Sequence, residues 1–334
     1  MVWFNDSFGR WIKEWGMAIM AQQMTEAAQI LYERINRVVQ GKSEVNRLIL
    51  ATVLAGGHVL IEDVPGVGKT RLALALAGAL GGEFRRVQCC VDLMPSDLTG
   101  VNIYHPGEQR FQFVPGPVFS HVMLADEMNR ASPRTQAALL EAMEEHAVTV
   151  DGKRYALPEP FVVIATQNPA EQQGTFPLPE AQLDRFAVAV TLGYPDADTE
   201  HALLTAAMRE VSDTDDGKNE QASESLRTWR TLREKIRAVF VDDSLLQYMV
   251  AVVRDTRAHP ELALGVSPRG SLWWMKVSQA LAFVSGRTFV TPRDVQASAV
   301  ATLAHRVKLK KGASRRQEVC ALIASVLAQH ALPD

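Results

Sequence analysis

The segment Glu62-Asp-Val-Pro-Gly-Val-Gly-Lys-Thr70 places Gly66 and Gly68 directly before a lysine and a hydroxyl residue. That spacing suits a polyphosphate. Backbone N–H groups of a glycine-rich turn can wrap phosphate oxygens, and a helix starting right behind the turn adds a favourable dipole. In such a loop Pro65, Gly66, Val67 and Gly68 supply the backbone, Lys69 reaches the β- and γ-phosphates of a nucleotide, and Thr70 offers its hydroxyl to magnesium. The usual pattern opens on glycine; here that position is Asp63. Aspartate tolerates left-handed backbone better than most residues, so the turn is expected to survive. The bland alternative is a chance Gly-Lys-Thr in a helix cap.

A phosphate loop does not hydrolyse ATP by itself; it needs an acid on the metal and a base for water. The apolar run Val122-Met-Leu-Ala125 ends in Asp126-Glu127. Asp126 is expected to hold magnesium, directly or through water, and Glu127 to orient and activate the attacking water. Two acids after a strand also suit a plain turn, with Asp126 as a cap. A further apolar run, Phe161-Val-Val-Ile-Ala-Thr166, leads into Gln-Asn-Pro169. A polar residue at that tip can touch both the γ-phosphate and the water, and Asn168 is assigned the role; its competing reading is a turn residue before proline.

These residues need a scaffold of strands that deliver them to one edge. His58–Asp63, Val118–Asp126, Phe161–Thr166 and Val188–Leu192 read as four short buried strands. Helical patterns run over Thr25–Val39, Ser43–Ala55 and Thr70–Leu80. Buried strands alternating with helices predict a parallel sheet covered on both faces. Past Tyr194-Pro195 almost every pattern is helical, with Thr291-Pro-Arg-Asp294 as a helix start. Three units follow: an amphipathic extension over 1–24, an α/β domain over 25–194 and a helical domain over 195–334. In the extension Phe8, Trp11, Ile12, Trp15 and Ile19 share one helical face, which suits docking on the protein's own body, with a partner helix or a membrane surface over 1–22 as alternatives. Ser212–Ser225 is polar and reads as a mobile loop.

Composition narrows the class. The 334 residues are 47% hydrophobic and carry a formal net charge of −3, so the basic surplus typical of DNA-bound proteins is absent. Cys89, Cys90 and Cys320 form no zinc-ligand spacing, and their odd number argues against a disulfide framework and for a reducing compartment. No apolar stretch reaches bilayer length. A cytoplasmic protein is expected.

The combination of motifs resembles AAA+ ATPases, and within them the MoxR family. The resemblance rests on Glu62–Thr70, Ala125-Asp-Glu-Met-Asn-Arg-Ala131, Thr135-Gln-Ala-Ala-Leu-Leu-Glu-Ala-Met-Glu144, Ala165–Pro169, Leu178-Pro-Glu-Ala-Gln-Leu-Asp-Arg-Phe186 and Ser267-Pro-Arg269. It implies an α/β fold in which a P-loop AAA+ parallel sheet with helices on both faces is followed by a small all-helical lid. By resemblance Arg185 is the arginine finger offered to a neighbouring subunit, and Arg269 is the second sensor, reaching the γ-phosphate of its own subunit. Val38, Val39 and Gly41 match the adenine-contacting segment, and Arg130 and Arg134 face a neighbour. The family carries a hairpin inserted in the second helix, matched by Asp97–Val114, and a hairpin before the first sensor, matched by Val148–Leu157 around Asp151-Gly152. Tyr104, Phe111 and Phe113 become candidate client contacts. The implied activity is ATP hydrolysis with Mg2+ in a homo-oligomeric ring, a hexamer, that remodels or matures a client protein, with a von Willebrand factor A domain partner and metal-cofactor insertion as recurrent features. A chelatase-like motor subunit and a DNA-directed AAA+ motor are the alternatives.

Overall fold

The computed structural model of the chain describes residues 27–64, 66–168, 174–208, 220–310 and 316–333. The extension over 1–24 and Pro65 lie outside the described residues.

Five strands form one parallel sheet in the order β2-β5-β8-β1-β9. They are β1 (Val59–Glu62), β2 (Phe84–Gln88), β5 (Val122–Asp126), β8 (Val162–Gln167) and β9 (Val188–Val190). The central strands are apolar at successive positions because both faces are covered. Val59, Ile61, Leu124, Ile164 and Val188 face one core with helices α2 (Ser43–Leu54) and α3 (Lys69–Leu80). Leu60, Met123, Val163 and Ala189 face a second core with α5 (Pro133–Glu145). Helix α1 spans residues 27–38.

Strand β2 is absent from the sequence reading. Phe84-Arg-Arg-Val-Gln88 lies at the sheet edge with Arg85, Arg86 and Gln88 exposed, so it shows no apolar run to detect.

Two hairpins leave this frame. After α4 (Pro95–Thr99), β3 (Gly100–His105) pairs with β4 (Arg110–Pro115), and further on β6 (Ala147–Val150) pairs with β7 (Lys153–Ala156). Gly100 has φ +93°, and a side chain there would meet the Val114 carbonyl at 2.3 Å, so the first hairpin closes only on glycine. Phe113 stacks on Tyr155 at 4.0 Å and joins the two hairpins. Phe111 and Tyr104 contact each other and stay exposed.

After α6 (Glu180–Leu183) and β9, the chain becomes helical: α7 (Ala197–Met208), α8 (Glu220–Arg237), α9 (Asp243–Ala258), α10 (Pro268–Val284), α11 (Pro292–Leu303) and α12 (Arg316–Gln329), plus a short antiparallel ladder of β10 (Leu262–Leu264) with β11 (Lys308–Leu309). Residues 220–225, expected in a loop, belong to α8; 209–219 lie outside the described residues. Thr291 and Asp294 form the expected capping box on α11, tied to Arg287. Trp229 and Trp274 are fully buried in the core shared with α2, so the helical lid is docked on the sheet domain. No described helix is long and apolar enough to cross a membrane, and all three cysteines are free.

His58 fastens the N-terminal edge of the sheet. Its Nδ1 accepts from the Val163 amide at 3.0 Å, so the proton sits on Nε2, which donates to the Met143 carbonyl at 3.1 Å. Burial lowers its pKa to about 4. The unfolded chain therefore binds the proton first, and the folded state loses stability as pH falls from about 6.5 toward about 4. The difference in unfolding free energy between wild type and His58→Gln, from urea titrations at pH 7.5 and 5, should shrink on the acid side by on the order of 1 kcal/mol per pH unit.

Candidate active site

The phosphate loop joins β1 to α3. Gly66 and Gly68 adopt φ of +86° and +89°, a backbone region that side chains avoid, and a Cβ added at either meets nothing within 4 Å. The space beside them is thus open to a ligand. Gly66, Gly68, Lys69, Thr70, Arg71, Arg86, Gln88, Asp126 and Glu127 line one cavity of about 290 Å³. Lys69 is buried and its Nζ donates to the Asp63 carbonyl at 3.1 Å.

Asp63 does not act through left-handed backbone, as its sequence position suggested; it is not among the residues with positive φ. Its carboxylate is buried and accepts three backbone amides: Val64 at 2.9 Å, and Leu192 and Gly193 at 2.7 Å each. Glycine at this position has no side chain for that task. Asp63 ties the start of the phosphate loop to the chain leaving β9 for the lid.

The two acids are held by partners that the sequence reading missed. Thr166 at the end of β8 donates to Asp126 Oδ1 at 2.7 Å and accepts from the Glu127 amide at 2.8 Å. Arg86 reaches Asp126 Oδ2 at 2.8 Å. Burial pushes the Asp126 carboxyl up, but the Thr166 hydrogen bond, the Arg86 guanidinium and the Lys69 charge outweigh it, and the net shift is down. Asp126 is therefore ionised at neutral pH. Glu127 sits at φ +53°, a strained conformation for a glutamate that aims it away from the strand line. Gln88 Nε2 at 3.1 Å and Arg130 at 3.0 Å hold its carboxylate. Arg130, expected to face a neighbour, thus has an intrasubunit partner. Arg86 and Gln88 both lie on β2, so the overlooked strand carried the overlooked residues.

Thr70 and Asp126 face the same cavity and suit magnesium, which takes one or two protein oxygens and completes its shell with phosphate and water. Asn168 follows the last residue of β8 and is half-buried; it is outside the cavity lining. Val39 packs against the main core, and Gly41, at φ +73°, lies so close to Thr199 that a Cβ would meet its hydroxyl at 2.6 Å. Both are beside the connection to the lid rather than in the cavity.

Arg185 and Arg269 lie elsewhere. Arg185 Nε donates to Glu144 Oε2 at 2.8 Å, and Arg269 reaches Glu144 Oε1 at 2.5 Å. The Arg269 hydrogen bond, opposed by partial burial and aided by the charges of both arginines, holds the Glu144 carboxyl below its usual range. Glu144 is in the last turn of α5, beside the His58–Met143 contact, and Arg185 precedes β9. Both positions are at the N-terminal edge of the parallel sheet, whereas the cavity is at the C-terminal edge. Strands of four to six residues separate the edges by roughly 13–20 Å. Arg269 therefore lies at the edge opposite the cavity of its own subunit. The cause is local: Ser267, the N-cap of α10, donates to both Asp184 oxygens, and buried Arg306 bonds Asp184 Oδ1, so the start of α10 is pinned beside Arg185.

Replacing Asp63 by alanine should strand the buried Leu192 amide at a cost of about 1–3 kcal/mol and the partly buried Gly193 amide at a smaller one. Denaturant unfolding should report that loss, and nucleotide titration should show weaker binding than in wild type.

Comparisons with known proteins bear on the family and the fold. The profile described as "ATPase family associated with various cellular activities (AAA)" matches residues 58–188, and the AAA lid domain profile matches 254–323. The chain is 48% identical to YeaC of Bacillus subtilis, over 83% of this chain and 85% of that protein. It is 38% identical to Chaperone MoxR1 of Mycobacterium tuberculosis, over 87% of this chain and 78% of that one. A crystal structure from Cytophaga hutchinsonii superposes with a TM-score of 0.81 at 32% identity, covering 97% of this chain and all of the other. With a phosphate loop, a strand-end acid pair, a parallel sheet and a helical lid in this order, the chain belongs to the MoxR family of AAA+ ATPases.

Proposed function

We propose that the chain hydrolyses ATP, with Mg2+, at interfaces between its own copies, and uses the cycle to remodel or mature partner proteins. The observation that carries this reading is the separation of the cavity from the Arg185–Arg269 pair by the height of one sheet. A single copy has phosphate binders and acids at one edge and the Arg185–Arg269 pair, gathered on Glu144, at the other; a ring brings one copy's arginines to the next copy's cavity.

In that site the amides of Gly66 and Gly68 and the Lys69 ammonium bind the phosphates. Thr70 and Asp126 hold Mg2+, which when bound screens charge on the phosphate oxygens. Glu127, released from Gln88 and Arg130, orients the water and accepts its proton. Asn168 holds water and γ-phosphate in line. Arg185 of the neighbour offsets the charge that develops as the phosphoryl group transfers, and Arg269 joins it there. Val39 and Gly41 border the adenine.

The client is proposed to be a protein. Phe111 at 69% exposure and Tyr104 project from the inserted hairpin as an apolar tip, while Phe113 packs the hairpin base. The name of the Mycobacterium relative points to chaperone work. A hexamer, a von Willebrand factor A domain partner and metal-cofactor insertion are the finer form of the proposal, taken from the family.

Lys69→Ala should abolish nucleotide binding in a fluorescence titration, and Glu127→Gln should bind ATP yet release phosphate far more slowly. Near-normal turnover in Glu127→Gln would remove the role given to Glu127.

Arg185→Ala should keep ATP binding and lose ~10³-fold or more of the hydrolysis rate. Mixed with Lys69→Ala, it should regain turnover, because some interfaces then join an intact loop to an intact finger. Mixtures that stay silent at every ratio would refute action across the interface.

A further inference from the structure

Glu144 has no part in the chemistry described so far, yet its carboxylate pairs with both Arg185 and Arg269. Its location makes a purely structural role a poor fit. A carboxylate in the last turn of a helix faces the negative end of the helix dipole. The ion pairs are partly exposed, with 38% of the Glu144 side chain accessible, and such pairs add little to stability. The lid is already pinned at this point by Asp184, Ser267 and buried Arg306. What Glu144 adds is direction.

The contacts are economical. Among the described residues, Arg185 gives Glu144 its Nε, and Arg269 gives it one terminal nitrogen. The terminal nitrogens of Arg185, the fork that matches phosphate geometry, are not spent on it. Two cations on one anion leave a net positive charge, so the group still attracts a phosphate. Without the carboxylate, the two guanidinium groups would repel each other and sample other rotamers. The platform under Glu144 is rigid, since the end of α5 is bound through Met143 to His58 and through it to Val163 of β8. Arg185 comes from the sheet domain and Arg269 from the lid, so the carboxylate also sets the lid arginine against the core arginine.

We propose that Glu144 is a positioning residue for hydrolysis in the neighbouring subunit, holding Arg185 and Arg269 as one aligned pair for the γ-phosphate bound there. The proposal rests on the reading that these arginines act across the interface.

The test uses full-length Glu144→Gln, which keeps size and removes charge, with Glu144→Asp as a second variant that keeps the charge on a shorter arm. In Glu144→Gln, ATP affinity and melting temperature should match wild type, while kcat falls roughly 10- to 100-fold with little change in KM. Glu144→Asp should recover part of kcat. Adding Glu144→Gln to Arg185→Ala should cost little beyond Arg185→Ala alone, because one residue acts through the other. Mixing Glu144→Gln with Lys69→Ala should restore turnover, with Arg185→Ala plus Lys69→Ala as the control. Wild-type or faster turnover in Glu144→Gln overturns the proposal. So does a defect that Lys69→Ala fails to relieve while it relieves Arg185→Ala. If neither mixture recovers, the interface reading falls and takes the proposal with it.

Discussion

Parallel pairing of β1, β5 and β8 is the constraint on which the rest of the molecule depends. Three parallel neighbours end at the same edge, so the phosphate loop, the acid pair and the Thr166–Asn168 tip converge without any long-range design of loops. The register is direct: Ala125 lies across from Ala165, and Thr166 from Ile61. Thr166 can therefore reach both acids of the adjoining strand end. The same polarity forces whatever precedes a strand to the opposite edge. Arg185, three residues before β9, has no choice of side.

A sheet buried on both faces tolerates little polar surface, and three buried polar side chains, His58, Asp63 and Arg306, serve as joints. His58 joins β1, β8 and the end of α5. Asp63 joins the phosphate loop to Leu192 and Gly193. Arg306 joins the lid to Asp184, Phe186 and Ala187, and burial lowers its pKa to about 10 without discharging it. Each joint places an unsatisfied group in a dry interior if broken. One carboxylate thus links the phosphate loop to the chain leading into the lid.

The edge strand β2 shows how charge is kept in check at an active site. Arg86 and Gln88 lie on the same side of the strand, two residues apart, and neutralise or hydrogen-bond Asp126 and Glu127 in turn. Two adjacent carboxylates beside an open cavity would repel each other; Arg86 and Thr166 hold Asp126, while Gln88 and Arg130 hold Glu127.

The amino-acid sequence by itself marked the residues of the cavity: Gly66, Gly68, Lys69, Thr70, Asp126 and Glu127 were legible because a phosphate loop and a strand-end acid pair are local patterns, written in consecutive residues. The hairpin around Asp151-Gly152 and the Thr291 cap were legible for the same reason, while the first hairpin and the Ser267 cap followed from the family resemblance. The fifth strand was not, because Phe84–Gln88 is an edge with an exposed polar face and shows no buried run. Asp63, Arg86, Gln88 and Thr166 acquired their roles only in the tertiary structure, since their partners lie 129, 40, 39 and 40 residues away in sequence. The side of the sheet on which Arg269 lies was likewise decided by folding. A motif names an arginine, but where its helix docks depends on Ser267 meeting Asp184 across 83 residues, and no local pattern encodes a contact between segments that distant.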